Sequence, residues 1–214
     1  MKKIGPEYIR SPAKRCLDIV GGSAIGAGLS PAAVALAIET IVEHKNFNPF
    51  FTETRVGRQG SYTNFKFQTL SPGPNSKTEG GSKHKRASII GTLVRKSGMD
   101  EMPQIIHVIR GDISLVGIRP QSQERLDYFR SFASEDLFEE WFECYRQNPG
   151  LTGEGQLYSN RFPHHTPDVL KRRMEIDIES FNNASIAGDL KTIARTPFVL
   201  LSPSHTAATE APLA

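Results

Sequence analysis

The longest uncharged stretch of the chain runs from Ile19 to Ile38 and is rich in Ala, Gly, Val and Ile. About 20 apolar residues in a helix cross the hydrocarbon core of a bilayer. Gly21, Gly22, Gly26 and Gly28 weaken the run as a helix, and Ser30-Pro31 interrupts its middle. The pattern therefore predicts a kinked, re-entrant insertion rather than a straight span. In lipid, the Ser30 hydroxyl would bond a backbone carbonyl that Pro31 leaves without a donor. The competing reading is an Ala-rich helical pair buried in a soluble protein, which the scarcity of Leu and Phe keeps open.

Beyond Asn46 the pattern changes. Phe47, Phe50 and Phe51 precede alternating residues from Thr52 to Gly60, and two glycines there predict a strand and turn feeding Phe65-Lys66-Phe67. Ser71 to Ser82, dense in Pro, Gly, Ser and Asn, reads as a mobile loop, and an amphipathic pattern resumes from Ile89 to Arg95. Met102, Ile105, Ile106 and Ile109 then repeat at helical spacing, so a helix starts at or just after Asp100 with Pro103 in its first turn. Arg110-Gly111-Asp112 reads as a turn and Ile113 to Val116 as a short strand. Three further helical stretches follow at Ser134 to Gln147, Val169 to Phe181 and Leu190 to Leu201, the last interrupted at Pro197. In the first of these, Phe138, Trp141, Phe142 and Tyr145 form a stripe expected to face the core. The small, polar Ser202 to Ala214 reads as disordered. The sum is an α+β fold, mostly helical, with short strands and amphipathic helices suited to an interface.

Composition narrows the class without naming it. A chain of 214 residues suits one core-bearing domain. A net charge of +3 is compatible with an anionic membrane surface or a phosphate substrate. The basic cluster Lys83-His84-Lys85-Arg86 has no aromatic interleaving, so nucleic acid is not expected. Cys16 and Cys144 are too far apart in sequence to suggest a disulfide framework or zinc site, and His164-His165 cannot face one metal from a regular helix. Gly26-x-Gly28 meets Pro31 where a dinucleotide fingerprint needs glycine.

The candidate chemistry lies in Arg95-Lys96-Ser97-Gly98-Met99-Asp100-Glu101-Met102-Pro103-Gln104. Taken alone, Asp100 caps the following helix and Glu101 complements its dipole. The alternative is a division of work, since adjacent side chains point in different directions and two carboxylates can serve as nucleophile and metal ligand. Arg55, Arg58 and Lys66 are candidates to line a phosphate site. Arg119, held extended before Pro120, is a candidate to reach the same anion as Arg95, or else to pair with a nearby carboxylate.

In order and spacing, several motifs together resemble the bacterial sugar transferase family of small monotopic polyprenyl-phosphate phosphoglycosyl transferases. They are Lys14-Arg15 with Asp18, Ser30-Pro31 in an apolar segment, Arg55-x-Gly57-x-x-Gly60, Phe65-Lys66-Phe67, Asp100-Glu101-x-Pro103-Gln104, Gly111-Asp112-x-Ser114-x-Val116-Gly117, Arg119-Pro120 and Pro149-Gly150-Leu151-Thr152-Gly153. The resemblance implies a flank and re-entrant membrane helix over 1–45, a cytoplasmic catalytic domain over 46–201 and a tail over 202–214. It implies Asp100 as the nucleophile toward a UDP-sugar, releasing UMP, with undecaprenyl phosphate then accepting the phosphosugar. Glu101 would hold Mg²⁺, Arg95 and Arg119 would lie near the phosphate, and Asp177 matches a carboxylate of the C-terminal helix. The site would sit at the cytoplasmic face of the inner membrane, and a homodimer stays open. Gln68, Ile118, Asn148 and Glu154 depart from the family pattern, which motivates an alternative: a catalytically impaired, membrane-peripheral interaction protein of the same fold.

Overall fold

The computed structural model describes residues 4–44, 48–71, 86–87, 94, 97–162 and 164–200. Arg95, the basic residues 83–85, most of the 71–82 loop and the tail from 201 lie outside them. Two helices open the chain, α1 (Ile4–Ile9) and α2 (Pro12–His44). A hairpin follows, β1 (Phe50–Gly57) and β2 (Gly60–Phe67), and then the short strands β3 (Leu70–Ser71) and β4 (Arg86–Ala87). A 3-10 turn (Met99–Gln104) leads into α3 (Ile105–Arg110) and β5 (Ser114–Val116). The rest is α4 (Gln123–Phe132), α5 (Glu135–Gln147), β6 (Gly150–Thr152), α6 (Glu154–Ser159), α7 (Pro167–Asn182) and α8 (Ile186–Leu200).

Strand pairing is sparse, so helices carry most of the core. β1 and β2 are antiparallel from Phe50 opposite Phe67 to Gly57 opposite Gly60, where Gly60 takes a φ of 111° that glycine tolerates. β5 and β6 are parallel, Ser114 opposite Gly150 and Val116 opposite Thr152. Helix starts follow local rules. Ser122, Ser134 and Thr166 each accept a hydrogen bond from the backbone N–H three residues on, and Pro167 opens α7 where a missing N–H costs nothing. The aromatic stripe of α5 packs as expected: Trp141 and Tyr145 are fully buried with Phe129, Leu170 and Met174, and Phe138 joins them. A second cluster gathers Ile105, Val108, Ile113, Leu115 and Val116, with Ile25 of α2 against it.

Three local expectations are revised. α2 runs unbroken through Pro31 instead of dividing into helix, break and helix. The reason is local: Pro31 removes the N–H that would serve Ala27, and the Ser30 hydroxyl donates to that carbonyl at 2.8 Å. α8 likewise continues through Pro197. Asp100 is not a helix cap; Gly98, at φ 71°, precedes the 3-10 turn and no side chain caps it.

The glycines of α2 acquire a packing role. A Cβ at Gly21 would stand 2.7 Å from Leu115, and one at Gly26 would stand 3.2 Å from Ile105. They admit the second core cluster against the helix. Much of its apolar surface is bare: Val20, Val34, Ile38 and Val42 are exposed, and only 11% of its most apolar stretch is buried. A core helix of a soluble protein would be mostly covered, so this face calls for an apolar solvent. The start of α2 is pinned by charge. Lys14 Nζ lies 2.7 Å from Asp189 and 3.3 Å from Asp18 and donates to the Val116 carbonyl, while Asp18 accepts from the Leu115 N–H. Removing one partner would strand a buried charge, at a cost of about 3–5 kcal/mol. Arg15 donates to the carbonyls of Val108 and Ile109, closing the last turn of α3.

Candidate active site

The 3-10 turn packs against β2 and carries both acidic residues, Asp100 and Glu101. Glu101 meets Lys66 Nζ at 2.9 Å from the hairpin side and the Arg119 guanidinium from the β5–α4 loop. Both cations converge on Oε1. Burial opposes ionisation of Glu101, but Arg119 and Lys66 overcome that penalty and hold its carboxyl well below the usual carboxylate range. Burial would likewise weaken protonation of Arg119; Glu101, with a smaller contribution from the charge of Asp100, more than compensates and keeps it charged. Asp100 is therefore within electrostatic reach of Arg119 on a half-buried turn. The ion pair of Arg119 with a nearby carboxylate is thus present, at Glu101.

The loop carrying Arg119 is held from several sides. Arg55, which pairs with Glu53 at 2.9 Å, donates to the Pro120 carbonyl and so buttresses the loop without touching Glu101. Val56 N–H donates to the Gln121 carbonyl, and the Gln121 N–H donates to the Tyr145 hydroxyl, which in turn donates to Val56. Gln156 of α6 completes the grip. Its carboxamide is oriented with the oxygen accepting from Arg119 Nη1 at 2.7 Å and the nitrogen donating to the Leu151 carbonyl at 3.3 Å.

Asp177 sits behind this arrangement. It is 3% exposed, accepts from Trp141 Nε1 at 3.0 Å and from the Gly155 N–H, and lies 3.8 Å from Arg173 Nε. Burial pushes its carboxyl up to about 6, with Arg173, Trp141 and Gly155 opposing only part of that. A side chain at Gly155 would force a shift, because a Cβ would fall 2.2 Å from Asp177 Oδ1.

Sequence reasoning thus placed Asp100, Glu101, Lys66 and Arg119 in one site, and the structure brings all four together. Arg55 and Asp177 support it from one layer further out, Arg95 lies outside the described residues, and Ser30 and Pro31 are in the apolar helix. Arg58 goes elsewhere: with His107, Arg110, Asp112 and Tyr62 it lines a separate cavity of about 480 Å³ at the hairpin tip. Arg173 went unread as part of the support, although its spacing of four residues from Asp177 on one helix was the signal. The departures find partners. Glu154 pairs with Arg195 at 2.8 Å and accepts from Thr192. Ile118 is buried and its N–H donates to the Asn148 carbonyl, a bond proline cannot make. The Asn148 carboxamide donates to the Val116 carbonyl, while Gln68 is tied through its backbone N–H to Pro49.

An ion-paired acidic turn thus lies beside a long apolar helix, and the sequence profile of the bacterial sugar transferase family matches residues 9–203. The chain belongs to that family. It is 30% identical over 197 residues to the UDP-glucose:undecaprenyl-phosphate glucose-1-phosphate transferase of Caulobacter vibrioides, covering 90% of this chain and 71% of that protein. A transferase of the same name from Escherichia coli is 29% identical over 189 residues, 86% of this chain but 39% of that protein. The exopolysaccharide production protein ExoY of Rhizobium meliloti is 28% identical over 210 residues, 89% of this chain and 86% of its own length.

Proposed function

We propose that the protein is an undecaprenyl-phosphate sugar phosphotransferase acting at the cytoplasmic face of the inner membrane, where it initiates exopolysaccharide, capsule or O-antigen synthesis. The observation that carries this reading is the Asp100-Glu101 turn, with Glu101 clamped by Lys66 and Arg119, in a chain of this family that also presents an uncovered apolar helix. An Asp100 carboxylate oxygen attacks the sugar-bearing phosphorus of a UDP-sugar. The bond from that phosphorus to the bridging oxygen breaks, and UMP leaves with the oxygen and its electron pair. An oxygen of undecaprenyl phosphate then attacks the same phosphorus and expels the aspartate, giving the lipid diphosphosugar.

A carboxylate approaching a diphosphate meets like charge, and the cations of Lys66 and Arg119 offset it. Mg²⁺ suits the donor set, because it typically takes one or two protein carboxylates and completes its shell with phosphate oxygens and water. Glu101, already drawn into the site by Lys66 and Arg119, would hold it. When bound, the ion would supply charge neutralisation on the phosphates. The test is UMP release on adding UDP-sugar, Mg²⁺ and undecaprenyl phosphate, with Asp100→Asn abolishing it. UMP release unchanged by that substitution would sink the assignment.

The departures from the family pattern motivate a second reading, a non-catalytic relative of the same fold. The partners found for Glu154, Ile118 and Asn148, none of them Asp100 or Glu101, support the enzyme instead. A screen of UDP-sugars with UMP detection would identify the sugar.

A further inference from the structure

The guanidinium of Arg119 has two anchors on different elements. One nitrogen, Nη2, donates to Glu101, and Nη1 donates to the Gln156 oxygen at 2.7 Å. The orientation of Gln156 is dictated by its surroundings: reversed, its oxygen would face only acceptors and its nitrogen only donors. Gln156 is itself 9% exposed and sits on the short helix α6. Position along that helix is set next door, where the Gly155 N–H donates to buried Asp177 and the absent Cβ lets the two approach. Arg119 also has its own backbone held, since the Gln121 side chain donates to its carbonyl at 2.7 Å.

We propose that Gln156 is a positioning residue for phosphosugar transfer: it fixes the plane of the Arg119 guanidinium, and the Asp177–Gly155 contact fixes Gln156. The proposal rests on the transfer reading given above. A long arginine side chain held only at Glu101 keeps freedom about its remaining torsions, and a second hydrogen bond removes it before substrate arrives. Planar, two-point donation to a phosphate requires that orientation. Asp177 thereby acts on the reaction without touching substrate.

The test uses Gln156→Met, which keeps side-chain length and apolar packing but cannot accept from Arg119. Two assays are run in the full-length protein, in wild-type and Arg119→Gln backgrounds: UMP release, and equilibrium binding of UDP, which needs no turnover. In the wild-type background kcat falls roughly tenfold and UDP binding weakens measurably, while the thermal midpoint stays within about 2 °C. In the Arg119→Gln background the same substitution changes either quantity less than about twofold, the non-additivity expected of residues that act as a unit. Equal losses in both backgrounds, or no loss in either, would overturn the positioning role. A wild-type protein that releases no UMP yet shows the coupled loss of UDP binding would overturn the transfer reading and leave the positioning of Arg119 standing.

Discussion

Glu101 and Asp177 are both withdrawn from water and both have an arginine nearby, yet their acidities move in opposite directions. Glu101 is held below the usual carboxylate range, whereas Asp177 is pushed up to about 6. The difference lies in contact. Two cations reach Glu101 at hydrogen-bonding distance, and the Coulomb gain exceeds the cost of burial. Asp177 has one guanidinium at 3.8 Å and two neutral donors, which leave the burial penalty ahead. One carboxylate is therefore held charged, and burial favours the neutral form of the other.

Several substitutions would sharpen or break that contrast. The largest effect belongs to Glu101→Gln, which leaves Lys66 and Arg119 facing a neutral amide and should cost about 3 kcal/mol of stability by urea denaturation at pH 7. Because the folded pKa of Glu101 is lowered, its stabilisation is present above pH 4.5 and is lost as pH falls through the folded value. The variant should accordingly lose part of the acid limb of the stability curve. Asp177 has the opposite sign: its raised folded value means that it favours folding below 3.8 and that this contribution drains away as pH rises to about 6. Between those values wild type should lose about 2 kcal/mol relative to Asp177→Asn. A parallel pair of curves would show that Asp177 is paired better than its geometry indicates.

Gly155→Ala tests the Asp177 contact sterically. Its Cβ must displace Asp177 or α6, at about 1–2 kcal/mol, and UMP release should fall with it. The smallest effect is expected at Arg195→Ala, where the pair with Glu154 is substantially exposed and contributes at most about 0.5 kcal/mol in a thermal melt.

What the chain disclosed in advance was whatever depends on local chemistry. The aromatic stripe of α5 and the glycine turn of the hairpin are set by neighbours in sequence, and both appear as expected. The Ser30 bond to Ala27 was legible for the same reason. The clamp on Glu101 was only half legible: Lys66 and Arg119 stood out as cations, but their meeting on one oxygen depends on how the hairpin and the β5–α4 loop fold over the acidic turn. Asp177 stood out as a carboxylate, but its burial against Trp141 depends on how α5 and α7 pack together. The glycines of α2 read as helix weakness because the residues they admit, Leu115 and Ile105, lie far along the chain.

The central claim is that Asp100 carries the phosphosugar, and that Glu101 does not. Intact-mass and peptide analysis after incubation with UDP-sugar and Mg²⁺, with the lipid acceptor withheld, tests it most directly. The account predicts a mass gain of one sugar phosphate confined to Asp100 and absent in Asp100→Asn. A sugar phosphate found on Glu101 or any other residue, or UMP released with no adduct while Asp100→Asn remains active, would contradict it.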